Sequence, residues 1–377
     1  MPTGMGGNLA PAPAKGRRIP TLDIVRGVLM TLIITTHMIA NSESMGTLRV
    51  TIVRSLLSGT VGFCTVSGML IGYFLKTKAG DLPRVLHRYT VRGMVLALVA
   101  HPLISIALYA PAGNGRSLLD FMSHSFFLTD ALALLFLVLV PLTPRMTPGV
   151  RLGLGLALMF AARFIFIIPV HSRALLAVRE VLAGLDMRDD TVLLSTYPLL
   201  SIAGMFLVGS WIGDRYALAQ AAGELPRLGR RFFSSAGVLV LASCALVGLW
   251  VILKRHIAGA NAPVLQQFIG LDYEFSAYPA YLASVLCMMA LLMARSTVSR
   301  IERFFVRFGR TSLFTYIVQY YVVQTLPWLL RLRHRMRPWQ IVAYLVVAVP
   351  VMNIAATALD RYKAGSPPRP HSSAKPG

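Results

Sequence analysis

The chain has 377 residues, of which 55% are hydrophobic and only 14% charged, and its net charge is +22. Soluble domains carry about 25% charged residues, so this composition excludes a soluble enzyme and predicts an all-α, polytopic integral membrane protein. The basic residues flank apolar runs, as they do where charge sets membrane topology, and the sequence contains no RNA- or DNA-binding module. We therefore expect the lipid bilayer, and no nucleic acid, as a partner.

A membrane span needs about 20 mainly apolar residues. The apolar runs predict about ten transmembrane helices, at residues 20–40, 53–75, 89–110, 122–143, 150–170, 193–213, 233–253, 276–295, 311–330 and 339–359. Residues 1–18 and 364–377 are expected to be disordered cytoplasmic tails on either side of one transmembrane domain, residues 19–363. The three cysteines lie in apolar runs and are expected to be buried thiols, with no metal site.

Basic residues indicate the orientation, because they concentrate on the cytoplasmic side of a membrane. With the N-terminus inside, the inside segments hold 22 of the 37 Lys and Arg residues, the outside segments hold 12, and 3 lie within spans. This asymmetry predicts both termini in the cytoplasm. The run RLRHRMR, residues 331–337, goes against it: either it binds something acidic outside, or one span is misplaced.

The first span carries three ionisable residues, Asp23, Arg26 and His37. Eleven residues separate Arg26 from His37, which returns the helix to within ~20° of the same face at an axial distance of about 16 Å. Asp23 precedes Arg26 by three residues and lies on that face too. Ionisable groups inside a span are functional-site candidates, so this face predicts a site for an elongated ligand.

Arginines at the start of the third span follow a spacing of four, with Arg84, Arg88 and Arg92 on one helical face. With Arg26 they would form a cationic mouth on the cytoplasmic side. Such a mouth suits phosphate groups, because the Arg fork binds phosphate through two hydrogen bonds. We expect Arg84 to anchor the helix at the membrane surface. We expect Arg92, which lies inside the span, to bind the ligand.

Two further spans carry buried polar groups that need partners. Asp130 in span four either pairs with Arg163 of span five or lines a cavity. In span nine, Tyr316 and Gln319 are expected to be structural or to line the same cavity, and Asp23 is expected to pair with Arg26.

The first-span pattern, Arg26-Gly27 followed by His37, resembles the opening helix of the membrane-bound acyltransferases. These comprise the acyltransferase-3 family, the periplasmic-glucan succinyltransferases and the heparan glucosaminide N-acetyltransferases. In the acyltransferase-3 family the first helix pairs an Arg-Gly with a His eleven residues after the Arg. Weaker similarities are the pair Ser67-Gly68, the arginines Arg88 and Arg92, and the stretch Gly309 to Leu313. In span nine, Leu313 and Tyr316 match a family pattern in which a His often stands where this chain has Gln319.

The resemblance implies an acyltransferase that moves an acetyl or succinyl group from cytoplasmic acyl-CoA to a carbohydrate at the outer face. It implies His37 as the catalytic residue, either as general base or as nucleophile, and Arg26, Ser67, Arg88 and Arg92 as donor-binding residues. Acyl-CoA is a substrate, and no permanently bound cofactor is expected. The acceptor would be an extracytoplasmic glycan or lipid-linked sugar, and the membrane a bacterial inner membrane.

A transporter or flippase for an anionic or sugar-containing solute is the alternative. Arg92, Asp130, Arg163 and His37 would then line a path for the solute. The sequence shows no clear inverted repeat, which favours the acyltransferase.

Overall fold

The structure is a computed structural model that describes residues 20–39, 59–112, 115–165, 168, 170–184, 192–193, 197–257, 273–295 and 299–365. Helices hold 88% of these residues, and no β-strand occurs among them. This confirms the predicted all-α class. The predicted tails lie outside the described residues, apart from the last two residues of the final helix.

Helices follow one another along the described ranges. The first seven are α1 Pro20–Ile39, α2 Gly59–Thr77, α3 Leu82–Val95 continued by His101–Ala112, α4 Leu118–Ser123, α5 Leu128–Leu134 continued by Val140–Leu142, α6 Pro148–Ile165 and α7 Arg173–Ala183. The others are α8 Leu199–Ala221, α9 Leu225–Ile257, α10 Tyr273–Met293, α11 Arg300–Arg310, α12 Ser312–Tyr320 continued by Leu326–Leu329, and α13 Pro338–Gly365.

Within the described part of the chain, five helical stretches are long and apolar enough to cross a membrane: Pro20–Ile39, Ala79–Ala112, Leu128–Arg145, Leu225–Leu249 and Pro338–Tyr362. Shorter apolar helices cover Pro148–Ala162 and Tyr278–Met293. Every predicted span overlaps a helix, but the count of ten membrane crossings stays a prediction. Large apolar side chains on α9 and α13 are exposed, as expected of helices that face lipid. Cys244 on α9 is also exposed, so the expectation that all three thiols are buried is wrong.

Helix α1 lies between two hydrophobic clusters. Its residues Met30, Ile34 and Met38 belong to a cluster with side chains of α3, α5, α12 and α13. Leu22 and Val25, on another side of α1, belong to a second cluster with α2, α8, α9 and α10. The polar face of α1 is therefore held inside the protein, where ionisable side chains can serve a site.

Three helices around α1 contain a π-helical turn: Leu96–Ala100 in α3, Leu135–Leu139 in α5 and Tyr321–Thr325 in α12. A proline stands two residues after each turn, at positions 102, 141 and 327. Proline lacks an N–H and its ring clashes with the carbonyl of residue i−4, so the preceding turn has to widen. The prolines thus shape the three helices beside the polar face of α1.

Candidate active site

A cavity of about 170 Å³ opens beside α1, between α2, α3, α5 and the junction of α11 with α12. Three arginines line it: Arg26, Arg92 and Arg310. Hydroxyl groups of α2, α5 and α12 and apolar side chains, among them Phe63 and Phe136, form the remaining walls. The cavity therefore combines positive charge with an apolar interior.

Arg26 is held from two sides. A terminal guanidinium nitrogen donates a hydrogen bond to Ser312 Oγ, which belongs to the first turn of α12. The guanidinium carbon also lies 5.3 Å from the centre of the Phe63 ring. A cation over an aromatic face is attracted by the ring quadrupole, so both contacts fix the direction of Arg26 without neutralising it.

Arg92 lines the same cavity from α3, and its guanidinium lies 5.2 Å from the centre of the Tyr89 ring. Arg88 and Arg84 are exposed and do not line it. Arg84 pairs with Asp81 at 3.2 Å on the surface, which agrees with a plain anchoring role. The donor-binding role of Arg88 stays a prediction.

Arg310 is a cavity residue to which the sequence interpretation gave no role. Its guanidinium pairs with Asp23 at 3.7 Å and with Asp360 of α13 at 3.5 Å. Asp23 was expected to pair with Arg26; its carboxylate does act electrostatically on Arg26, and α11 brings Arg310 to it as a second partner. The similarity at Gly309 to Leu313 was the available signal, because Arg310 stands inside that stretch.

Two glycines explain why α11 lies so close to α1. A Cβ atom added at Gly27 would overlap the carbonyl oxygen of Phe305, and one added at Gly309 would overlap that of Asp23. The backbones therefore touch at both positions. Gly27, next to Arg26, permits the approach that brings Arg310 and Ser312 to the cavity.

Helix α11 also has a firm start. Ser299 Oγ accepts a hydrogen bond from Glu302 N, and the Glu302 carboxylate accepts one from Ser299 N. Arg295 pairs with the same carboxylate at 2.9 Å. The hydrogen bond from Ser299 N has the largest effect on the Glu302 carboxylate and lowers its pKa. Arg295 acts in the same direction, so the capping carboxylate stays charged.

His37 does not line the cavity but is connected to it through tyrosines. Its ring centre lies 5.2 Å from that of Tyr320. The Tyr320 hydroxyl is 2.8 Å from the hydroxyl of Tyr316, which does line the cavity. Because α1 runs unbroken from Pro20 to Ile39, His37 stands about 16 Å along the helix from Arg26, as the spacing predicts.

Two hydroxyl groups in the cavity wall differ in their bonding. Ser67 Oγ donates to the carbonyl oxygen of Phe63 at 2.8 Å, so its proton is already engaged. Thr129 Oγ1 is buried and has no hydrogen-bond partner among the described residues. Thr129 is therefore the better placed of the two to donate to a ligand, and the sequence interpretation missed it.

Asp130 has a partner that the sequence interpretation did not consider. Its carboxylate lies 2.8 Å from His101 Nδ1 and accepts a hydrogen bond from Phe127 N at 2.7 Å. Asp130 does not line the arginine cavity. The side chain of Arg163 lies outside the described residues, so the expected pair of Asp130 with Arg163 stays a prediction. The carboxylate also acts electrostatically on Tyr320.

Gln319 is fully buried on α12, one residue before Tyr320. Neither polar atom of its amide has a hydrogen-bond partner among the described residues, and it does not line the cavity. Its role stays a prediction.

The geometry suits a long ligand that carries negative charge at one end. Arginines at the cavity would hold phosphate groups, and the apolar walls would take an uncharged chain directed at the tyrosines below His37. A family model described as an acyltransferase domain, of the acyltransferase-3 type, matches residues 19–356. No curated protein matches the chain.

Proposed function

Because the chain belongs to the acyltransferase-3 family, we propose that it moves an acetyl or succinyl group from cytoplasmic acyl-CoA to a carbohydrate at the outer face of the membrane. The observation that carries this proposal is the convergence of Arg26, Arg92 and Arg310 on one cavity whose wall continues to the tyrosines beside His37. An integral membrane acyltransferase needs such a route, because donor and acceptor approach from opposite sides.

In this proposal the three arginines hold the phosphates of the donor. Among the described residues, neither Arg26 nor Arg92 has a carboxylate within 4 Å, whereas Arg310 shares its charge with Asp23 and Asp360. Arg26 would therefore contribute most, through the bidentate contact that guanidinium groups make with phosphate. The apolar walls, with Phe63 and Phe136, would hold the uncharged arm.

His37 would act at the acyl end. As general base it takes the proton of the acceptor hydroxyl while that oxygen forms a bond to the thioester carbonyl carbon. The carbon–sulfur bond then breaks, and the CoA thiolate leaves and takes up a proton. Thr129, whose hydroxyl has no partner in the described part of the chain, is the candidate donor to the oxyanion. As nucleophile, His37 would first carry the acyl group itself.

The test uses purified protein in nanodiscs with acetyl-CoA labelled in the acetyl group and membrane glycan as acceptor. We expect label on a sugar, and transient label on the protein as well if His37 is the nucleophile. If no label leaves CoA while the protein alters uptake of a solute, the transporter replaces the acyltransferase.

A further inference from the structure

A second cavity, of about 150 Å³, lies between the first turns of α2, the start of α8 and the first half of α10. Its aromatic lining residues are Tyr197, Tyr278 and Tyr281, and its small polar ones are Thr60 and Ser201. The other lining residues that the structure describes are apolar, and none is charged. This cavity shares no lining residue with the first.

Tyr197 connects the second cavity to the first. Its hydroxyl interacts with those of Tyr316 and Tyr320. Tyr316 lines the arginine cavity, and the Tyr320 ring packs against His37 at a tilt. The three tyrosines therefore form one hydroxyl cluster with a different cavity on each side and His37 against it.

Building on the proposed acyl transfer, we propose that the second cavity binds the acceptor and that Tyr197 is a positioning residue that holds its reacting hydroxyl toward His37. A tyrosine hydroxyl both donates and accepts, so it can bind a second hydroxyl while it stays bonded within its cluster. This arrangement places the acceptor on one side of the tyrosine cluster and the donor on the other.

The lining also selects the class of acceptor. A carboxylate or phosphate would lose its water in this cavity and find no opposite charge among the described residues that line it, which is costly. Tyrosine rings offer apolar faces with a polar end, which suits a ring with both C–H and hydroxyl groups. The occupant is an uncharged sugar residue, not the acidic glycan that the run 331–337 would favour.

The experiment measures transfer from labelled acetyl-CoA to glycan extracted from cells that lack the protein, with the enzyme in nanodiscs. Ser201→Trp fills the cavity and should reduce transfer to background. Tyr197→Phe removes one hydroxyl and should raise the half-saturating amount of glycan roughly threefold to tenfold, the value of one hydrogen bond. The KM for acetyl-CoA should stay unchanged in Tyr197→Phe, Ser201→Trp should still bind acetyl-CoA with unchanged affinity in a calorimetric titration, and the labelled sugar should be neutral.

Tyr344→Phe is the matched control, because Tyr344 lines neither cavity and its hydroxyl donates to the Val322 carbonyl. It should leave both saturation curves unchanged. The acceptor site would be overturned if Tyr197→Phe left the half-saturating amount of glycan unchanged and Ser201→Trp stayed active. A rise in the KM for acetyl-CoA in Tyr197→Phe would overturn it too. A labelled uronic acid or phosphorylated sugar would overturn the acceptor class. If the unmodified protein labels no sugar, the proposed function itself fails.

Discussion

Arg26 is the residue on which donor binding should depend most. Arg26→Ala removes a guanidinium that Ser312 and Phe63 aim into the cavity, so acyl-CoA binding should weaken about 10- to 100-fold, as for a charge-assisted hydrogen bond. Arg26→Lys should recover only part of this, because an ammonium lacks the planar fork. Calorimetric titration with acetyl-CoA measures the change.

Arg84→Ala is the matched control for that titration, since Arg84 is an exposed arginine paired with Asp81 and lies outside the cavity lining. It should bind acetyl-CoA like the unmodified protein. Equal affinity in Arg26→Ala and Arg84→Ala would show that the arginine cavity does not hold the donor. Arg88→Ala in the same series decides whether that exposed side chain takes part.

The sequence predicts which residues share a face of one helix, but it does not predict which residues meet between two helices. Arg26 and His37 share a face of α1 because eleven residues complete three turns to within ~20°, which is visible in the sequence. The contact between Arg26 and Ser312 joins residues 286 positions apart, and the pair of Asp130 with His101 joins two different helices. Such partners depend on how helices pack, and the spacing of one helix carries no information about it.

At the scale of helices, the contact of α1 with α11 should be intolerant of any side chain at Gly27. Gly27→Ala places a Cβ on the Phe305 carbonyl, and the rigid backbone has to move, so stability should fall by about 1–3 kcal/mol. Thermal unfolding in detergent measures this loss, and acetyl-CoA binding should weaken with it because Arg310 and Ser312 shift.

Gly153→Ala on α6 serves as the control, since a Cβ there meets nothing within 4 Å. It should be neutral or raise stability slightly, because alanine is the better helix residue. If Gly27→Ala unfolds at the same temperature as Gly153→Ala, the two helices do not touch as described.

A second contact between helices is a buried ion pair. Arg151 of α6 lies 3.5 Å from Asp214 of α8 and donates to Ser210 Oγ at 2.7 Å, while Lys76 of α2 lies 3.8 Å from Asp214. Asp214→Ala would leave the buried Arg151 charge uncompensated and should cost about 3–5 kcal/mol of stability. Thermal unfolding reports the loss.

The control for this pair is Asp81→Ala, which breaks the exposed pair with Arg84 and should change the unfolding temperature little, because surface ion pairs are screened by water. If Asp214→Ala lowers the unfolding temperature no more than Asp81→Ala does, another group compensates the charge of Arg151 or Arg151 reaches water.

For the whole molecule, ten spans with both termini inside predict which connections face the cytoplasm. Reporter fusions after residues 112, 180 and 262 should report the outside, and fusions after residues 80, 222 and 303 the inside. The physical reason is the excess of Lys and Arg in the segments assigned to the cytoplasm. Opposite results at two or more sites would reverse the orientation and put the arginine cavity on the outer side.

The helical class of the molecule could be read from run lengths, whereas the shape of its helices needed the structure. Ten apolar runs were predicted and all overlap helices, because length and hydrophobicity are local properties. The π-helical turns in α3, α5 and α12 were not predicted, although a proline follows each of them. A proline marks a disturbed helix but does not determine how the turn widens.

His37 carries the central claim, and His37→Gln tests it most directly. Glutamine keeps a polar side chain of similar size beside Tyr320 but cannot take the proton of an acceptor. Transfer from labelled acetyl-CoA to glycan should fall by about 10²-fold or more, the value of a general base, or further if His37 carries the acyl group. Acetyl-CoA binding and the unfolding temperature should stay close to those of the unmodified protein. If His37→Gln keeps more than about a tenth of the transfer rate, the histidine is structural and the account of acyl transfer is contradicted.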